Sequence, residues 1–238
     1  MGVKIGGLQK LTLIDYPNTL ACTVFLSGCN FRCPWCYSPE LVLPKLISHQ
    51  PEIKEKEFFD FLKTKKGLLD GVVICGGEPT INNDLPLFCS KIKNIGYKVK
   101  LDTNGSSPEM VEKLFKLKLI DYVAMDIKAP KEKYTQAVGF EGATGYYLVD
   151  KVQRTIDILK NSNIDHEFRT TVVPGVHTKE DIVKIAHWIR PAKKYFLQQF
   201  KAEKNLDPLF QERVPLDNKE VFQIKECIAP FFDEVNIR

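Results

Sequence analysis

A chain of 238 residues, 44% hydrophobic and 27% charged, can bury a full core without disulfide or metal staples. The formal net charge of +4 is too small to mark a nucleic-acid surface, and lysine-rich stretches such as 54–66 read as solvated helix faces. No apolar run is long enough to cross a bilayer and none reads as a leader, so the sequence predicts a cytoplasmic protein with no membrane partner.

The predicted elements alternate strand with helix. Residues 20–26 (LACTVFL) read as a strand, and the lysine-rich residues 54–66 as a helix with Phe58, Phe59 and Leu62 on one face. Residues 71–75 (GVVIC) form a continuous apolar run, as a strand covered on both faces requires. A helix over 85–94, a strand over 97–102 and a helix over 108–117 follow. Next come a strand over 122–127, a helix over 147–160 and a strand over 166–173. A helix over 178–189 opens on Thr178, with Asp181 at the capping-box position. A strand over 195–200, a helix over 218–228 and a terminal run over 234–237 complete the chain.

Six strand–helix units argue for a parallel α/β sheet. A complete eight-fold barrel takes about 250 residues. The six units therefore predict a partial, open (βα)6 TIM-like barrel in a single domain over 1–238, with a doubly wound open sheet as the competing architecture. In either, reactive groups gather where strands end. The unusual polar residues fall at those places. They are the cysteine cluster after the first strand, Gly76-Gly77-Glu78-Pro79 after the second, and Asp102-Thr103-Asn104-Gly105 ending the third. Asp126 and Lys128 end the fourth, Arg169 and Thr171 lie on the fifth, and Gln198 and Gln199 end the sixth.

Cys29, Cys33 and Cys36 stand in a C-x3-C-x2-C loop. In a reducing compartment such a cluster points to metal or redox chemistry rather than disulfides. Structural zinc wants four ligands, usually in two close pairs, and no second pair exists; His49 is thirteen residues on. Three thiolates suit an iron–sulfur cluster that leaves one iron open to a small molecule. Cys22, Cys75, Cys89 and Cys227 are scattered in apolar surroundings and read as buried, inert thiols. The four histidines read as structural or surface residues.

The cysteine loop, with Trp35 just before its last cysteine, resembles the signature of the radical S-adenosylmethionine superfamily, and Gly76 to Pro79 resembles that superfamily's second motif. Gly7-Leu8-Gln9-Lys10, Leu13-Ile14-Asp15-Tyr16-Pro17, Asp102-Thr103-Asn104-Gly105, Met125-Asp126-Ile127-Lys128 and Val172-Val173-Pro174-Gly175 extend the resemblance to the activating enzymes of glycyl radical enzymes. Among these the N-terminal stretch is most similar to activating proteins of anaerobic ribonucleoside-triphosphate reductase.

The resemblance implies one 4Fe–4S cluster on Cys29, Cys33 and Cys36, with S-adenosylmethionine on the open iron. It implies that Gly76 and Gly77 admit the methionyl end, Glu78 accepts from its ammonium and Arg169 meets its carboxylate. Trp35 would lie against adenine, Asp102 and Asn104 would line the cofactor side, and Asp126 and Lys128 would face the substrate. The implied partners are a glycyl radical enzyme, first of all the anaerobic ribonucleotide reductase, and a flavodoxin or ferredoxin as electron donor. A pyruvate formate-lyase type of partner, or a small molecule as in 7-carboxy-7-deazaguanine synthase, is the alternative. An electron carrier using the cysteines alone would leave the Gly-Gly-Glu stretch and Arg169 unexplained. Two departures stand out: Tyr37 follows the third cysteine where relatives carry histidine, and Gln199-Phe200 stands where some relatives place a histidine.

Overall fold

The computed structural model describes residues 2–140 and 146–238, which form two compact units. The first unit comprises residues up to 30 with 40–103 and 107–123; the second comprises 31–39, 104–106 and 124–238.

In the first unit β2 (Ala21–Leu26), β3 (Gly71–Gly76) and β4 (Lys98–Thr103) run parallel, with Val24 opposite Ile74 and Ile74 opposite Leu101. The near-continuous apolar sequences of β2 and β3 follow from burial on both faces. β1 (Ile5–Thr12) pairs antiparallel with β2 through two irregularities in register. The sequence reading missed β1, because IGGLQKLT carries two glycines and no clean alternation. Helices Glu55–Thr64 and Leu85–Ile95 pack through Phe58 and Phe88, whose rings stack at 5.4 Å. Phe58 is fully buried, which contributes about 1.5–3 kcal/mol.

In the second unit β6 (Asp165–Val172), β7 (Ala192–Gln199) and β8 (Phe232–Ile237) are parallel, with Tyr195 opposite both Phe168 and Val235. The helix Lys179–Ile189 has the expected capping box, with the Thr178 hydroxyl accepting from the Asp181 N–H and the Asp181 carboxylate accepting from the Thr178 N–H. β5 (Tyr122–Asp126) begins in the first unit and ends in the second. The expected α/β class thus holds, with a parallel-dominated sheet. Within each unit the parallel strands align their carboxyl ends, which is what gathers side chains from successive strands.

Candidate functional site

At the end of β3 the backbone turns at Gly76, whose φ of +120° is a conformation that side chains resist. A Cβ on Gly76 would strike the Leu26 main chain, and one on Gly77 would strike the Gly28 carbonyl. Both glycines are therefore required by close packing of this chain on itself. The Glu78 N–H donates to that same Gly28 carbonyl at 2.7 Å, while the Gly28 N–H donates to Leu41 O at 2.7 Å. Glu78 is 1% exposed. Its Oε1 accepts from the Thr80 N–H at 3.0 Å, the Thr80 hydroxyl at 2.5 Å and the Thr103 hydroxyl at 2.7 Å. The second motif and the end of β4 are thereby tied together. One register step back on β4, the fully buried Lys100 pairs with Asp102. Sequence reasoning missed Lys100, which reads as one more surface lysine.

Cys29 lies in the first unit, half-buried; Cys33, buried, and Cys36, half-buried, lie in the second. None of the seven cysteines is in a disulfide. The loop carrying Cys33 and Cys36 is held through its main chain. The Arg32 N–H donates to Val138 O at 2.9 Å, and the Cys36 N–H to Cys33 O at 3.0 Å. Pro34 O accepts from the Asp207 N–H at 2.9 Å, Cys36 O from the Leu206 N–H at 2.8 Å, and Trp35 O from Asn205 Nδ2 at 3.0 Å. Trp35 is buried, its ring against His177 at 5.8 Å and Phe210 at 6.4 Å.

The end of β5 and the interior of β6 meet in an ion network. Arg169 Nε donates to Asp126 Oδ1 and Lys128 Nζ to Asp126 Oδ2, both at 2.8 Å. Burial by itself would raise the Asp126 carboxyl, but the charges of Arg169 and Lys128 outweigh it and hold it well below the usual carboxylate range. Burial likewise opposes the Lys128 charge, and Asp126, with a contribution from Cys33, more than restores it, so its pKa lies above the usual lysine range. The residues read separately as a carboxylate partner and a substrate-facing pair are thus one cluster. His177 clips it from below: the Val173 N–H donates to Nδ1 at 3.0 Å and Nε2 donates to the Lys128 carbonyl at 2.8 Å, which fixes a neutral ring. Burial lowers its pKa, in keeping with that state. Asn104 accepts from the Ser106 N–H at 2.9 Å in a local Asx-type turn, and Gly105 at φ +75° leaves room for Met125.

The model of the radical SAM superfamily matches residues 23–189. The chain belongs to the radical SAM superfamily. A Methanocaldococcus jannaschii protein with the provisional name glycyl-radical enzyme activating enzyme is 35% identical over 242 residues, covering 100% of this chain and 97% of that protein. The pyruvate formate-lyase-activating enzyme of Streptococcus mutans is 28% identical, over 80% of this chain and 74% of its own length. Among solved structures, AdoMet-bound anSMEcpe superposes with a TM-score of 0.62 at 20% identity, over 89% of this chain and 61% of that one. The chain spans about half the length of several other solved structures that share its fold. Radical SAM enzymes use a 4Fe–4S cluster and S-adenosylmethionine, and this chain is an enzyme of that class.

The residues present fit those groups by their donor chemistry. Three thiols stand within eight residues, and the carbonyls from Cys33 to Cys36 already have hydrogen-bond donors within the chain. Among the described residues no three histidine, cysteine, aspartate or glutamate side chains already converge on one point, so the fit rests on the thiols and the loop that carries them. Two of the four remaining cysteines depart from expectation. Cys22 and Cys89 are buried, and burial pushes both thiols up to about 12. Cys227, in contrast, is exposed and Cys75 is only half-buried.

Proposed function

We propose that this chain is a radical SAM activase that generates a glycyl radical on a partner enzyme, the anaerobic ribonucleoside-triphosphate reductase. The observation that carries the reading is the relationship to an activating-enzyme relative over the full length of both chains. Bound together, the cluster and S-adenosylmethionine would supply radical chemistry able to remove a hydrogen atom from a glycine Cα of the partner. The chain's own part is to hold and orient. Cys29, Cys33 and Cys36 ligate the cluster as thiolates. Glu78, kept in place by Thr80 and Thr103, receives the methionyl ammonium, and Arg169, braced by Asp126, presents its guanidinium to the carboxylate. Trp35 flanks adenine, while Asp102 and Asn104 line the cofactor side. Asp126 and Lys128 face the incoming glycine loop. The enzyme works in the cytoplasm, reduced by a flavodoxin or ferredoxin.

The test is an anoxic EPR experiment. The reconstituted protein, a reductant, S-adenosylmethionine and the anaerobic reductase from the same organism are mixed, and the spectrum is recorded. A glycyl doublet that requires every component is the expected result. Release of 5′-deoxyadenosine without a doublet would leave the radical chemistry standing and remove this partner.

A further inference from the structure

Segment 205–207 has no helix or strand, yet it meets three successive carbonyls of the cysteine loop. Two of its backbone N–H groups and one side chain supply the donors, and they reach across 170 residues of sequence. Asn205 is the unusual member. It is 4% exposed, and its Nδ2 donates both to Trp35 O at 3.0 Å and to Lys201 O at 3.1 Å. Two carbonyl partners fix which end of the amide is nitrogen. The other end, Oδ1, is buried and has no hydrogen-bond partner among the described residues. An unpaired buried acceptor costs stability, and an apolar side chain of the same size would not incur that cost. An asparagine here is therefore a poor choice for packing and a good one for bridging two carbonyls.

We infer that Asn205 is a positioning residue for the Cys33–Cys36 loop, and that segment 205–207 sets the loop's shape before any cluster is present. This rests on the reading of Cys33 and Cys36 as cluster ligands. The surrounding contacts support it. Phe210, three residues beyond the segment's last donor, packs between Trp35 and Phe200, with ring centroids 6.4 Å from each. Arg213 lies over the Phe210 ring at 3.8 Å and donates to Pro174 O. Segment 205–213 thus ties the cysteine loop to the turn after β6. Four consecutive carbonyls, from Cys33 to Cys36, have donors supplied by the chain itself. A loop so satisfied has little freedom left for a bound cluster to remove, and its two thiols are presented at a fixed separation.

The test is amide hydrogen exchange on the full-length, cluster-free protein. In the wild type, the N–H groups of Cys36, Leu206 and Asp207 should exchange at least about 100-fold more slowly than in an unfolded chain. Exchange at the unfolded rate would overturn the inference, and this arm needs no variant to fold. In Asn205→Leu the same three amides should speed up about tenfold or more while Val72 to Ile74 of β3 stay unchanged. No change at the loop, or a uniform rise across the chain, would sink the positioning role. At matched iron content, reduced N205L should show a cluster EPR spectrum with shifted g values, and an identical spectrum counts against it. Failure of the activase reading appears only in the partner experiment and leaves the exchange pattern untouched.

Discussion

Arg169 on β6 and Asp126 at the end of β5 share a 2.8 Å hydrogen-bonded ion pair, and Lys128 completes it from the other carboxylate oxygen. Two cations thus converge on one acid whose side chain is 23% exposed. The arrangement holds Arg169 out of the random rotamers of a surface arginine.

Asp126→Asn tests that network. Removing one member of a buried ion cluster leaves the others uncompensated, and about 3 kcal/mol of stability should be lost near pH 7. The sign follows from the depressed pKa: the contribution is full above the unfolded carboxylate value of about 3.9 and is lost as pH falls through the lower folded value. Urea denaturation of the cluster-free chain should show a constant gap between wild type and variant from pH 7 to 5, closing below about pH 4. A gap that widens as the pH falls would contradict the assignment.

Glu78→Gln keeps an acceptor oxygen for Thr80 and Thr103 but removes the charge. Stability should change by about 1 kcal/mol or less. Affinity for S-adenosylmethionine, measured by equilibrium dialysis on the cluster-loaded enzyme, should fall about tenfold through loss of a charge-assisted contact.

Gly77→Ala forces a methyl group into the Gly28 carbonyl. Both partners are backbone, so neither can swing aside, and the expected cost is about 1–3 kcal/mol or more. Thermal unfolding reads it directly. An unaltered midpoint would show that the turn has slack the geometry does not suggest.

The cysteines should sort by environment. At pH 8 a thiol raised to about 12 is ionised in about one molecule in ten thousand, so Cys22 and Cys89 should resist alkylation in the native protein. Exposed Cys227 should label within minutes, and Cys227→Ser should leave iron content and S-adenosylmethionine cleavage unchanged. Cys33→Ala should abolish cleavage altogether. Mass spectrometry of labelled peptides and assay of 5′-deoxyadenosine give the two readings.

The parallel strands were legible because burial on both faces leaves nothing but apolar residues in runs such as GVVIC, and the capped helix because Thr178 and Asp181 sit at the required spacing. The close approach of the Gly28 carbonyl to Gly77 was not legible, because a glycine that admits a ligand and one that admits a neighbouring carbonyl look alike in sequence. Lys100 hid in YKVKLD, where alternation suggests solvent for every lysine, although the interior partner Asp102 lies only two residues away. His177 and Asn205 were invisible for a different cause. Both act through backbone carbonyls, which every residue carries, so no pattern of side chains could announce their partners.

The clamp on the cysteine loop also has a place in time. The donors to Pro34, Trp35 and Cys36 are residues 205–207. At about 5–20 residues per second they leave the ribosome roughly 10–30 s after the thiols they steady. A nascent or prematurely terminated chain therefore lacks the donors that brace the loop carrying Cys33 and Cys36.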